Sequence, residues 1–332
     1  MLQRLLLAVA AAFCLIPVHA ATLTVRDRVL LIDGQPAKLW GIRVASASQT
    51  PDLTDQLVAQ LDDYRAHGVN TVAVYYMGSL GLHGDPFSPD GHAIDRDHQA
   101  RMDAIIRALD DRGMVAIVGI FYQRTVKASL RDWAAAQNAV RTVAIALQPH
   151  RNIVLNIANE QNTSHYQNLP WGRVREPAAL IELCRIAKAA DPRRIVGAGG
   201  YNHANNEIIG RAREVDVLLF DGNKIESNAL LRDRFHAAGV LKPIINVELF
   251  GGWTKQFQPP GVYPDSAREA HFRAIDEAAQ FDDYHICFHS SPWCQGTAEP
   301  KQPMRFDLGG PGTRESPGIR WYFDYLREKT RR

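Results

Sequence analysis

Asn152-Ile153-Val154-Leu155-Asn156-Ile157-Ala158-Asn159-Glu160-Gln161 is the stretch that decides the fold. Ile153-Val154-Leu155 are apolar at successive positions, with no alternation between an inner and a wet face. A strand covered on both sides has this pattern, and such strands belong to parallel sheets whose faces carry helices. The run then ends abruptly in a carboxylate.

Seven further runs of the same kind lie on either side of it. They are Lys38 to Val44, Asn70 to Met77, Met114 to Phe121, Arg194 to Ala198, Val215 to Phe220, Pro243 to Val247 and His285 to His289. Between them the apolar period changes to about 3.6. Leu53, Leu57, Leu61 and Tyr64 share one stripe, and Met102, Ile105, Ile106 and Leu109 share another, with Gly68 and Gly113 as stop signals after them. Eight strand-then-helix repeats over residues 21–332 predict an α/β chain folded as one (β/α)₈ TIM barrel. Before the first repeat, Leu23 to Lys38 reads as a short β-hairpin, with Asp33-Gly34 as its turn signal. No linker divides the chain. The long connections fall after the second, fourth, seventh and eighth runs, which places them all at the face where barrel active sites are built.

The first twenty residues read as a secretory signal peptide. Arg4 gives a positive start, Leu5 to Val18 an apolar core and Ala20 a small residue at the cleavage point. The expected location is therefore secreted or periplasmic. No later segment has eighteen uninterrupted apolar residues, so no membrane span is expected. With 38 Lys and Arg against 36 Asp and Glu, there is no basic excess to attract nucleic acid. Beyond the leader, Cys184 reads as a small core residue, and Cys287 and Cys294 are close enough in sequence to bridge or to stay free.

In a barrel of this order the fourth run delivers Glu160, preceded by Asn159, to the catalytic face, and the seventh delivers Glu248. A carboxylate at the edge of an apolar strand is costly unless it has partners or a task. Two of them converging across one mouth is what glycosidic bond cleavage requires. His83, Asp85, Asp90 and His92 cluster after the second run, but their spacing matches no metal site, and they read as a turn-rich loop. Gly309-Gly310-Pro311-Gly312 reads as a flexible connection.

These residues resemble the clan A glycoside hydrolases, which include glycoside hydrolase family 5. The likeness rests on Asn159-Glu160 and Glu248, on Ile32-Asp33-Gly34-Gln35-Pro36 with Leu39-Trp40-Gly41-Ile42, on His67-Gly68-Val69-Asn70-Thr71-Val72, and on Asp103 through Gly113. It implies that Glu160 is the acid/base and Glu248 the nucleophile of a retaining β-glycosidase. It implies that Asn159 binds the sugar 2-hydroxyl and that Trp293, after the eighth run, is a stacking platform. Two departures stand out. The second run, Val72-Ala73-Val74-Tyr75, lacks the Arg that supports the nucleophile in many members, a place Arg43 or Arg124 could take. The sixth run ends Phe220-Asp221-Gly222-Asn223 in place of His-x-Tyr, so Tyr201 or Tyr75 would have to reach the nucleophile from another strand. Trp253, Trp171, Tyr76 and Tyr122 could line subsites, and Asn202, His203 and His289 could bind hydroxyls. The expected partner is an oligo- or polysaccharide and the expected state a monomer, with no metal or organic cofactor because two carboxylates suffice. A non-catalytic glycan-binding barrel and a transglycosylase are the alternatives left open.

Overall fold

The computed structural model describes residues 21–79, 85–123, 129–251, 259–290, 293–294 and 304–331. Strands β1 (Leu23–Arg26), β2 (Val29–Ile32) and β3 (Gln35–Pro36) form a small antiparallel meander. Then β4 (Trp40–Arg43), β5 (Thr71–Tyr75), β6 (Val115–Phe121), β7 (Ile153–Ala158), β8 (Ile195–Ala198), β9 (Val217–Asp221), β10 (Ile244–Glu248) and β11 (Tyr284–Phe288) close into a parallel barrel. Closure is made where β11 pairs with β4, with Ile286 opposite Trp40 and Phe288 opposite Ile42. This is the (β/α)₈ arrangement expected from the repeats.

Helices α1 (Pro51–Ala66), α2 (Arg96–Asp110), α3 (Trp133–Ala146), α4 (Pro177–Ala190), α5 (His203–Arg211), α6 (Asn228–Ala237), α7 (Asp265–Ala278) and α8 (Arg320–Thr330) lie between or after the strands. Their starts follow from local chemistry. The Thr50, Asp95, Asp132, Asn202 and Ser227 side chains each accept the backbone N–H three residues on, which satisfies one of the orphan donors of the first turn. Pro51 and Pro177 occupy first-turn positions where a missing N–H costs nothing.

Two apolar layers result. One lies between helices and barrel wall; Leu57, Leu61, Met102, Ile105, Val140 and Leu183 belong to it. The other fills the barrel, with Ala73, Ile117, Val154, Leu219, Ile245, Val247 and Cys287 packed together. Leu23 and Leu30 of the meander belong to that inner layer. The N-terminal sheet is therefore joined to the barrel interior by apolar packing, and the chain opposite to it, at the strands' C-terminal ends, is where polar groups collect.

The structure extends one expectation, decides one that the sequence left open and corrects a third. The N-terminal hairpin has a third strand: Asp33-Gly34 turns β2 into β3, while the first turn is made by Asp27-Arg28 with Asp27 at φ 57°. Cys287 and Cys294 are both buried free thiols, as is Cys184. The Gly309–Gly312 connection is packed rather than loose: Gly309 pairs with Gly318 and lies against the Trp293 ring, and Gly312 lies against Trp321. Among the described residues no helix is long and apolar enough to cross a membrane.

Candidate active site

Arg43, the last residue of β4, is fully buried at the C-terminal end of the barrel. Its Nη1 donates to Asp221 Oδ1 at 3.0 Å and to Glu248 Oε2. Its Nη2 donates to the Tyr122 hydroxyl at 3.0 Å and to Asn159 Oδ1. The guanidinium carbon stands 5.3 Å from the Tyr75 ring centroid and 5.6 Å from that of Tyr122, close enough for cation–π attraction. One side chain from β4 thus touches residues delivered by β5, β6, β7, β9 and β10. Burial opposes its charge, but the adjacent carboxylate of Glu248 raises its pKa well above the ordinary value.

Glu248 is the last residue of β10 and 2% exposed. The pairing of β10 with β9 shifts register between Asn246 and Glu248, so that Glu248 comes opposite Asp221. Such irregularities re-aim side chains beside functional sites. Asn246 Oδ1 steadies the shift by accepting from Gly222 N at 3.1 Å and Glu248 N at 3.3 Å. His289, just past β11, faces the other carboxylate oxygen, with Nε2 3.5 Å from Oε1.

Glu160 lies two residues past the end of β7, half-buried, with its backbone at φ 42°. A non-glycine residue in the left-handed region costs about 1–3 kcal/mol and persists only where the surroundings enforce it. Here Asp221 Oδ2 accepts the Glu160 backbone N–H at 2.8 Å. The Glu160 carboxylate accepts from Gln123 Nε2, and Gln123 Oε1 accepts from Asn159 Nδ2 at 2.7 Å. Tyr166 holds the Asn159 backbone by donating to its carbonyl at 2.9 Å. Burial pushes the Asp221 carboxyl pKa up, against the opposing pull of Arg43 and of the Glu160 N–H.

Glu160, Glu248, Asn159 and Arg43 are therefore brought into one network. The other sequence candidates are placed differently. Tyr75 is fully buried, beneath the site; its hydroxyl accepts from Asn156 Nδ2 at 3.0 Å. Asn202 caps α5 by accepting from Asn205 N, and Tyr201 is anchored through its backbone N–H to Asn162 Oδ1 at 2.9 Å. Trp293 is 4% exposed, donates through Nε1 to the Asp307 carbonyl at 2.6 Å and lies under the Arg305 guanidinium at 4.7 Å. Its ring is packed among loop residues rather than laid open. Trp171 is buried against Phe121 and Tyr166, and His203 faces Glu226 at 3.2 Å. Trp253, Arg124 and His83 lie outside the described residues. Among the described residues no group of three or more His, Cys, Asp or Glu is placed to hold a metal ion.

No family model matches the sequence, and no curated protein matches it. Solved structures do match. The barrel is similar in fold to those of solved glycoside hydrolases. A Bacteroides vulgatus protein assigned as a glycoside hydrolase superposes with a TM-score of 0.66 at 14% identity, covering 94% of this chain and 61% of its own. A glycoside hydrolase family 5 protein from the same organism gives a TM-score of 0.61 at 15% identity, covering 82% and 63%. The β-mannanase of the blue mussel Mytilus edulis gives 0.57 at 13% identity, covering 94% and 97%. The chain spans less than two thirds of the length of either Bacteroides protein.

Two participants were not assigned from sequence. Gln123 sits two residues past an apolar strand and resembles any loop polar residue. Asp221 carried the same signal as the two glutamates, a carboxylate ending the apolar run Val217-Leu218-Leu219-Phe220, yet it registers in sequence only as a departure from His-x-Tyr.

Proposed function

We propose that the chain is an exported, retaining β-glycoside hydrolase acting on an oligo- or polysaccharide. The observation that carries this is the pair Glu160 and Glu248, at the ends of the fourth and seventh barrel strands, Glu248 held by Arg43, Glu160 held through its backbone N–H by Asp221, and Arg43 and Asp221 bonded to each other. Burying an arginine with two carboxylates is a poor route to stability. A strongly perturbed charge cluster at the catalytic face of a barrel points to chemistry instead.

The reaction is a double displacement. Glu248 attacks the anomeric carbon while Glu160 gives its proton to the departing glycosidic oxygen, and the bond between them breaks. Glu160 then takes a proton from water, whose oxygen attacks the same carbon and releases Glu248. Arg43 fixes one oxygen of Glu248, which orients the carboxylate for attack, and Gln123 orients the carboxyl of Glu160. The carboxylates suffice, so no cofactor enters. The glycan-binding alternative has no use for an acid/base pair. The mannanase fold neighbour makes β-linked mannans the first polysaccharides to screen, with glucans, xylans and galactans beside them.

The test is chemical rescue. Glu248→Ala should abolish turnover, and added azide should restore it with inverted product. Glu160→Ala should retain reaction with an activated aryl glycoside, stall at the glycosyl-enzyme, and be rescued by azide with retained product. Near-parental turnover in both variants would place the chemistry elsewhere.

A further inference from the structure

We infer that Asp221 is a positioning residue that sets both glutamates at once, at the end of the sixth barrel strand, where the chain departs from the His-x-Tyr that the resemblance leads one to expect. The inference rests on the glycosidase reading for its consequences in turnover, and on geometry for the residue itself.

Asp221 ends β9 and is 1% exposed. Its two oxygens face two different parts of the site. Oδ1 accepts from the Arg43 nitrogen that also holds Glu248. Oδ2 accepts the backbone N–H of Glu160, whose φ of 42° sits in the left-handed region. A tyrosine hydroxyl could touch a single carboxylate; a carboxylate with two oxygens can accept from two donors in different directions. In that position Asp221 fixes the guanidinium that aims Glu248 and the peptide that aims Glu160. Neither contact is with substrate, so Asp221 acts through the other residues.

Charge makes the assignment sharper. Asp221 and Glu248 share one guanidinium, and burial already works against the Asp221 anion. A second buried carboxylate on one cation adds repulsion without adding a countercharge, so Asp221 does not earn its place by stabilising the fold. Replacing it removes a buried anion but also two accepted hydrogen bonds, so the fold should be kept while the alignment of both glutamates is spoiled.

The experiment uses the full chain with Asp221→Asn and Asp221→Ala. In the Asn variant one of two donors, Arg43 or the Glu160 N–H, meets an amide NH₂ instead of an acceptor. The melting temperature should stay within a few degrees of the parent's, because relief of the buried anion offsets the donor left without an acceptor. On a substrate the parent cleaves, kcat should fall by about 100-fold, the loss that a misplacement of roughly 1 Å produces, with KM within about threefold. Asp221→Glu, which restores charge but not position, should not recover kcat. Parental kcat, or a loss confined to KM, would overturn the assignment. A crystal structure of Asp221→Asn decides independently of activity: the Glu160 backbone should leave its left-handed conformation or its carboxylate should move. Unmoved glutamates would sink the proposal and leave the glycosidase reading standing. Displaced glutamates in a chain whose parent cleaves no glycoside would sink that reading and leave the positioning role.

Discussion

Arg43 concentrates the energetics of the site in a single residue. Two nitrogens in a rigid plane serve Asp221, Glu248, Tyr122 and Asn159. A lysine would bring one compact ammonium that cannot span four acceptors held in that fork. Arg43→Lys should therefore fold but lose about 100-fold in kcat through misalignment, measured on any glycoside the parent cleaves. Arg43→Ala should be worse in a different way, since two buried carboxylates would lose their countercharge. Its unfolding free energy should drop by about 3–5 kcal/mol in denaturant titration; a loss below about 1 kcal/mol would show that the cluster is not electrostatically closed. The glutamates at this scale were legible because a charge ending an apolar strand is anomalous wherever it occurs. Gln123 was not, because an amide in a loop is ordinary until its two hydrogen bonds are seen. Asp221 was visible by the same rule as the glutamates and was obscured by comparison with a different motif.

Elements were easier to read than their ends. Each of the eight apolar runs contains or closely overlaps a barrel strand, because burial on both faces leaves an unbroken signal that few other structures produce. Several runs overshoot, as with Asn70 to Met77 against Thr71–Tyr75, since Tyr76 and Met77 stay buried just past the strand and their N–H groups still donate to the Gly119 and Ile120 carbonyls of β6. The glycines of the last loop were misleading for a related reason: composition signals a turn, and only packing reveals that Trp293 fills the space a side chain would need. Inside the wall, Gly119 of β6 is informative. A Cβ there would meet Tyr75 Cδ1 at 1.9 Å and Cε1 at 2.1 Å. Gly119→Ala should therefore cost about 1–3 kcal/mol, the usual range for overpacking, read as a lowered urea midpoint. Tyr75→Phe in the same chain should bring no relief, because the clashing carbons remain, whereas Tyr75→Ala should recover part of the loss. The proposed leader belongs to this scale as well. On that proposal the mature chain should begin Ala21-Thr22-Leu23, read by N-terminal sequencing, and a start more than a few residues away would count against cleavage after Ala20.

At the scale of the whole molecule, the fold depends on keeping two histidines uncharged. His271 of α7 is fully buried among Phe250, Tyr263, Phe288, Trp321 and Tyr322. Burial lowers its pKa to about 4. His285 of β11 is fully buried too; its Nδ1 accepts from Leu39 N at 3.1 Å, which ties the start of the barrel to its last strand. Burial, and secondarily the charge of Lys38, puts its pKa well below the ordinary value. Protonating that Nδ1 would set one N–H against another. In the unfolded chain both histidines take up protons near pH 6.5. Between that pH and about 4 the unfolded state therefore binds more protons than the folded one, and stability falls as the solution is acidified. It is fully present above pH 6.5. For His271 the loss by pH 4 is on the order of 3 kcal/mol. Melting temperature followed from pH 7.5 to 4.5 should decline steeply below 6.5, and His271→Phe, which packs in the same aromatic surroundings without titrating, should flatten the decline. A variant whose melting curve tracks the parent's across that interval would locate the acid sensitivity elsewhere.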